Sequence, residues 1–175
     1  MARILIVYST VDGHTRTICN RLRGIIEAQG HQVALQPLAE TADADLEPCD
    51  SIVVGASIRD GKHRPALVEF IQRNAAVLNR KPSAFFSVNV VARKPGKNRP
   101  DTNPYVRKLL GRIAWRPRAA AVFAGKIDYP RYSAVDRMVI RFIMWLTRGP
   151  TDPNTVVEFT DWQEVEAFGG LIARL

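Results

Sequence analysis

The chain has 175 residues, with 25 Lys or Arg against 17 Asp or Glu and a net charge of +8. That length suits one domain with a full core, here taken as residues 1–175. The two cysteines, Cys19 and Cys49, form no CxxC pair, which speaks against a disulfide scaffold or a thiolate metal centre and for a reducing compartment. The apolar uncharged run from Pro82 to Ala92 falls well short of the roughly 20 residues of a spanning helix, and the opening strand leaves no room for a signal peptide.

Ile4, Leu5, Ile6 and Val7 are consecutive apolar residues, as in a parallel strand covered on both faces. The run breaks at Ser9-Thr10-Val11-Asp12-Gly13-His14-Thr15. It resumes as a helix over Arg16 to Ala28, with Ile18, Leu22, Ile25 and Ile26 at helical spacing. Strand, polar loop and helix together aim backbone N–H groups and a positive helix end at a phosphate. Thr10 and Thr15 add hydroxyls, and Gly13 permits close approach. An ordinary capped βα turn has the same outline.

His31 to Gln36 and Ser51 to Gly55 read as the second and third strands. Pro65 opens a helix whose buried face is Leu67, Val68, Phe70, Ile71, Val77 and Leu78. Ser83 to Asn89 and Ala119 to Ala124 are strands four and five, and Trp162 to Leu175 is a closing helix capped by Asp161 or Thr160. Strands alternating with helices predict an α/β, doubly wound parallel sheet.

Two segments exceed what that sheet requires. Between strands four and five lies an insert of about residues 90–118. Ala92 to Thr102 should be a polar loop broken by Pro95 and Pro100, followed by a helix capped by Asn103 and reaching Trp115. From Val90 to Arg118 there are nine Lys or Arg against Asp101 alone. A charge this concentrated suggests an anionic partner: lipid, nucleic acid or a carboxylate ligand. The second extra segment is an amphipathic helix over about 133–148. Its apolar residues suit either a core helix or one lying in a membrane interface, and they leave self-association into a homo-oligomer open.

The loop from Ser9 to Thr15 resembles the flavodoxin phosphate loop, which binds FMN. The resemblance implies a flavodoxin-like five-stranded sheet of order 2-1-3-4-5 with its ligand at the switch point. Contacts are then expected from Ser9, Thr10, Val11, Asp12, Gly13, His14 and Thr15, from Ala56, Ser57 and Ile58, and from Ser87, Val88, Asn89, Val90, Val91, Ala92 and Arg93. Asp12 departs from the family pattern and should turn its carboxylate away from a phosphate.

Longer strings sharpen the resemblance: Gly55-Ala56-Ser57-Ile58-Arg59, Ser83 to Asn89, Val91 to Pro95, Trp115-Arg116-Pro117, Tyr129 to Tyr132 and Thr160-Asp161-Trp162. Together they resemble the quinone-dependent protoporphyrinogen IX dehydrogenase family of bacterial haem biosynthesis. That resemblance implies an FMN oxidoreductase passing electrons from protoporphyrinogen IX to menaquinone or ubiquinone. It also implies a cytoplasmic protein, peripheral on the inner face of the cell membrane and held to its anionic surface. The propionates of such a substrate suit guanidinium partners, and Arg93, Lys94 and Arg131 are the candidates. His63 lies near the expected flavin edge and His14 in the phosphate loop, but neither is assigned as a catalytic group. No metal-ligating cluster is visible. A flavodoxin electron carrier and another FMN-dependent quinone reductase are the rival readings. A nucleic-acid module would leave the flavin loops unexplained.

Overall fold

The computed structural model describes residues 1–175. Strands β1 (Arg3–Ser9), β2 (Gln32–Pro37), β3 (Ser51–Ser57), β4 (Ser83–Val88) and β5 (Ala119–Phe123) form one sheet of order β2-β1-β3-β4-β5. Every pairing in it is parallel. Helices α1 (His14–Glu27), α2 (Pro65–Arg73), α3 (Ala75–Arg80), α4 (Pro104–Leu110) and α6 (Trp162–Ile172) cover it, with α5 (Ala134–Leu146) standing apart.

Parallel strands present side chains to both faces, so two cores form. On one face Leu5, Val7, Ile52, Val54 and Phe85 meet Leu67, Phe70 and Ile71 of α2, Val106 and Leu109 of α4, and Trp115. On the other, Ile4, Ile6, Val53 and Phe86 meet Ile18, Leu22 and Ile26 of α1 and Val165, Phe168 and Ile172 of α6. Gly55 faces Phe86 across the β3–β4 ladder, and a Cβ at Gly55 would overlap the Phe86 ring. The glycine is therefore a packing requirement of the sheet.

Three features depart most from the sequence pattern. The helix expected from Pro65 through Leu78 is two helices, broken at Asn74 (φ −102°, ψ 10°). The buried Asn74 amide donates to Phe70 O at 3.0 Å and to Asp43 Oδ1 at 2.7 Å, so a side chain takes over local backbone hydrogen bonding. Helix α4 stops at Leu110, with Gly111 as its C-cap, rather than at Trp115. Ile113 and Trp115 are buried as loop residues, and Trp115 Nε1 donates to Ser83 Oγ at 2.9 Å. Third, β6 (Lys126–Asp128) and β7 (Val156–Glu158) form a separate antiparallel pair. With strands this short and their pairing remote in sequence, periodicity gives no sign of them.

That small sheet supports α5. Ile127, Tyr129 and Met144 make a third cluster, and Tyr129 donates its hydroxyl to Pro150 O at 2.7 Å. Only Met144 of α5 is buried, while Val135 (66% exposed), Met138 (66%), Phe142 (58%) and Trp145 (67%) face outward. Of the two settings the apolar pattern allowed, the core is excluded.

Candidate functional site

Three loops meet beyond the carboxyl ends of β1, β3 and β4, where the crossover direction reverses and a doubly wound sheet leaves a crevice. The first runs from Thr10 to Gly13. Gly13 caps α1 at φ +84°, and its N–H donates to Thr10 Oγ1 at 3.0 Å. The positive φ turns the chain so that successive amides share one side. The N–H groups of Val11, Asp12, His14, Thr15 and Arg16 find no acceptor within the chain. The Thr15 hydroxyl is also buried and unpartnered. A buried hydroxyl without a partner costs about 1–3 kcal/mol, and here it stands at a positive helix end among free donors. The arrangement suits a phosphate ester, so the loop fits the phosphate of FMN.

Asp12 turns its carboxylate outward. Its Oδ2 lies 3.6 Å from Arg59 Nη1, and Arg59 Nη2 donates to Asp136 Oδ2 of α5 at 2.6 Å. Arg59 thus ties the phosphate loop, the β3–α2 loop and the start of α5 together. No local pattern in the sequence gives Arg59 a role, because both partners are remote in the chain. His14 Nε2 donates to Thr160 Oγ1 at 2.7 Å, since the threonine hydroxyl is committed to Ala124 O. Burial holds the His14 pKa below the usual imidazole value.

The second and third loops are laced by a buried polar chain. Tyr105 N–H and Val106 N–H donate to Asn103 Oδ1, which fixes that amide's orientation. Asn103 Nδ2 donates to Asn89 Oδ1 at 3.1 Å, and Asn89 Nδ2 donates to Ser87 Oγ at 3.3 Å. The Ser87 hydroxyl is left to donate to His63 Nε2 at 3.0 Å, which puts the imidazole proton on Nδ1. Burial lowers the His63 pKa to about 4, so the ring is neutral near pH 7. Asn103, read from sequence only as a helix cap, also holds the Ser87 to Arg93 loop in place.

The structure brings Ser9 to Thr15, Ala56 to Ile58 and Ser87 to Ala92 to one end of the sheet. Ile58 N–H donates to Val88 O at 3.1 Å, which joins the second loop to the third. Arg93 is used differently. Its guanidinium donates to Val90 O at 3.0 Å, to Thr147 O at 3.2 Å and to Thr147 Oγ1 at 3.0 Å, and stands 5.9 Å from the Phe159 ring centroid. Arg93 also shares a cleft of about 130 Å³ with Asp161 and Glu164, whose charge disfavours a carboxylate there. It fastens the insert to the end of α5. Lys94 and Arg131 have no side-chain partner and line neither that cleft nor the larger one between α2 and α4.

This is the topology and loop chemistry of a flavodoxin-type nucleotide site. The family described as "Flavodoxin domain" matches residues 5–154. The fold is shared with an archaeal flavodoxin (TM-score 0.55, 16% identity, 98% of this chain and 96% of that one). An oxidised flavodoxin from Bacillus cereus is similar too (TM-score 0.54, 13% identity, 99% and 98%). Closer in sequence are proteins named Protoporphyrinogen IX dehydrogenase [quinone]. That of Escherichia coli (strain K12) is 43% identical over 173 residues, covering 99% of this chain and 96% of its own. That of Leishmania major is 38% identical over 174 residues, covering 99% and 75%. The chain belongs to the quinone-dependent protoporphyrinogen IX dehydrogenase family, within the flavodoxin-domain proteins.

Proposed function

We propose that this chain holds FMN at the three-loop end of its sheet and oxidises protoporphyrinogen IX to protoporphyrin IX, passing the electrons to a membrane quinone in haem biosynthesis. The observation that carries this reading is the 43% identity over 99% of the chain with an enzyme of that name. A phosphate loop alone would serve an electron carrier equally well. The likeness also runs through the basic insert and α5, which the sheet does not need.

Within that reading the residues divide the work. Gly13, Thr15 and the free amides of the first loop take the phosphate. Ala56 to Ile58 and Ser87 to Ala92 flank the ring system. FMN, when bound, accepts the hydrogens removed from the macrocycle. Asn89 and Asn103 keep the third loop rigid, so the ring meets a preformed wall. With His63 neutral and hydrogen-bonded to Ser87, protons leaving the substrate pass to solvent, and no side chain is assigned as a base.

The quinone is reached from the membrane surface. No helix is long and apolar enough to cross a bilayer. In this reading the exposed apolar face of α5 lies in the inner leaflet's interface, with Arg131 and Arg148 toward anionic headgroups. Each such charge contributes about 1 kcal/mol. The test is oxidation of protoporphyrinogen IX by FMN-loaded protein, anaerobically with menaquinone or ubiquinone as sole acceptor and, in a separate arm, with oxygen alone. Porphyrin absorbance should rise with a quinone present. Absence of porphyrin with every acceptor overturns the reading.

A further inference from the structure

Beside the flavin end, between α2 and α4, lies a cleft of about 330 Å³. Its floor is apolar, from Val68 and the buried Leu109, and the half-buried ring of Tyr105 closes one side. Lys62, Lys108 and Arg112 stand around it against one acid, Glu69. None of these three cations has an ion-pair or hydrogen-bonded side-chain partner within the chain. Lys62 is also held in place. Arg59 and Lys62 exchange backbone hydrogen bonds at 3.0 and 3.1 Å around Asp60 (φ 51°) and Gly61 (φ 72°), a tight turn with both central residues left-handed. His63 lines the same cleft, and its Nδ1 N–H has no acceptor in the chain.

Clustered cations over an apolar floor with an aromatic wall suit an amphiphilic, planar anion. The volume is at the small end of ligand pockets, which run from about 300 to 1,000 Å³, so the cleft admits an edge of a macrocycle and not the whole of it. The His63–Ser87 hydrogen bond makes one wall of the cleft continuous with the loop expected against the flavin.

Resting on the proposed activity, we propose that the α2–α4 cleft takes the propionate-bearing edge of the tetrapyrrole, with Lys62, Lys108 and Arg112 as its carboxylate partners and Tyr105 against the ring. Arg93 is less suited to that role, because its guanidinium already donates to Val90 O and to Thr147. The cleft is the chain's specificity site for a dicarboxylate tetrapyrrole, displaced from the phosphate loop and adjoining the flavin.

The experiment measures equilibrium binding of protoporphyrin IX and of its dimethyl ester to FMN-loaded protein, from perturbation of the porphyrin absorption band. Wild type is compared with the Lys62→Met/Lys108→Met/Arg112→Met variant and with Lys108→Glu alone, which keeps most of the surface intact should the triple variant fold poorly. Both variants should weaken protoporphyrin IX binding, the triple variant by about tenfold or more, and leave the ester unaffected. Wild-type-like binding of protoporphyrin IX by the variants, or equal wild-type affinity for acid and ester, overturns the assignment. Anaerobic turnover of the same wild-type preparation is followed separately. Its failure counts against the activity, while the binding comparison still decides the cleft.

Discussion

Helices α6 and α5 invite comparison, since they are of similar length and both follow the end of the sheet. In α6, Val165, Phe168 and Ile172 are buried against α1 and the sheet, and Phe168 lies 5.8 Å from Phe123 and 6.3 Å from Phe86, ring to ring. In α5, which is richer in large apolar residues, only Met144 is buried. An apolar stripe reports that a face needs covering. It does not report that the same chain covers it. The sheet's faces are already occupied by α1 and α6 on one side and by α2, α3 and α4 on the other, so α5 has no sheet surface left to pack against.

The largest contrast should appear on truncation. Phe168→Ala removes a ring packed on two others and should cost about 3–5 kcal/mol, read from the urea midpoint. Phe142→Ala in α5 should shift that midpoint by less than about 0.5 kcal/mol. Equal losses would mean that α5 packs into the fold in solution.

Acid should divide the two regions similarly. Burial depresses the folded-state pKa of His63 from 6.5 to about 4, so below pH 6.5 the unfolded chain binds the proton that the folded chain refuses. Stability therefore falls as pH drops through that window, by up to about 3 kcal/mol from this group, and His14 adds a loss of the same sign. His63→Gln should flatten the decline between pH 6.5 and pH 4 in urea titrations. An unaltered slope would sink the assignment to His63. The exposed face of α5 carries no such group, so vesicle binding should not follow this transition.

These differences also show what a sequence can disclose. The sheet was legible because Ile4 to Val7, Ile52 to Val54 and Phe85-Phe86 sit in short apolar runs between helical patterns, and its order is that of the fold those patterns suggested. The Asn74 break was hidden because a side-chain hydrogen bond overrides an unbroken helical period. The β6–β7 pair was hidden because three-residue strands carry no usable alternation. At the site, Gly13 and Thr15 could be named from local spacing. Arg59 bonded to Asp136, Arg93 bonded to Thr147, and the chain from Asn103 to His63 depend on residues far apart in sequence. Its place at the end of the Ser87 to Arg93 loop makes Arg93 a natural candidate for a carboxylate ligand. The hydrogen bonds that occupy it follow only once the insert and the end of α5 are side by side.

Thr15 separates folding from binding at a single atom. Because its hydroxyl is buried and unpartnered, Thr15→Val should leave the stability of the FMN-free protein unchanged or slightly higher. A hydrogen bond to a charged acceptor is worth about 1.5–3 kcal/mol, so FMN affinity should fall by at least tenfold in a flavin-fluorescence titration. Loss of stability without loss of affinity would place the hydroxyl in the fold and not at the phosphate.

The smallest effect on folding should accompany a clear effect at the membrane. Phe142→Ser/Trp145→Ser changes side chains that are 58% and 67% exposed, so the urea midpoint should move by no more than about 0.5 kcal/mol. Partial burial of such rings in a bilayer interface is worth about 1 kcal/mol each, and binding to anionic vesicles should weaken accordingly in co-sedimentation. Raising salt should weaken wild-type binding further, because exposed charges are screened over about 10 Å at 0.1 M. In the proposed membrane orientation the two perturbations act on different groups, the rings on one hand and the exposed Arg131 and Arg148 on the other. Their effects should therefore add, and a variant that lost its rings should remain salt-sensitive. Unchanged vesicle binding in the double variant would show that α5 presents its apolar face to something other than lipid.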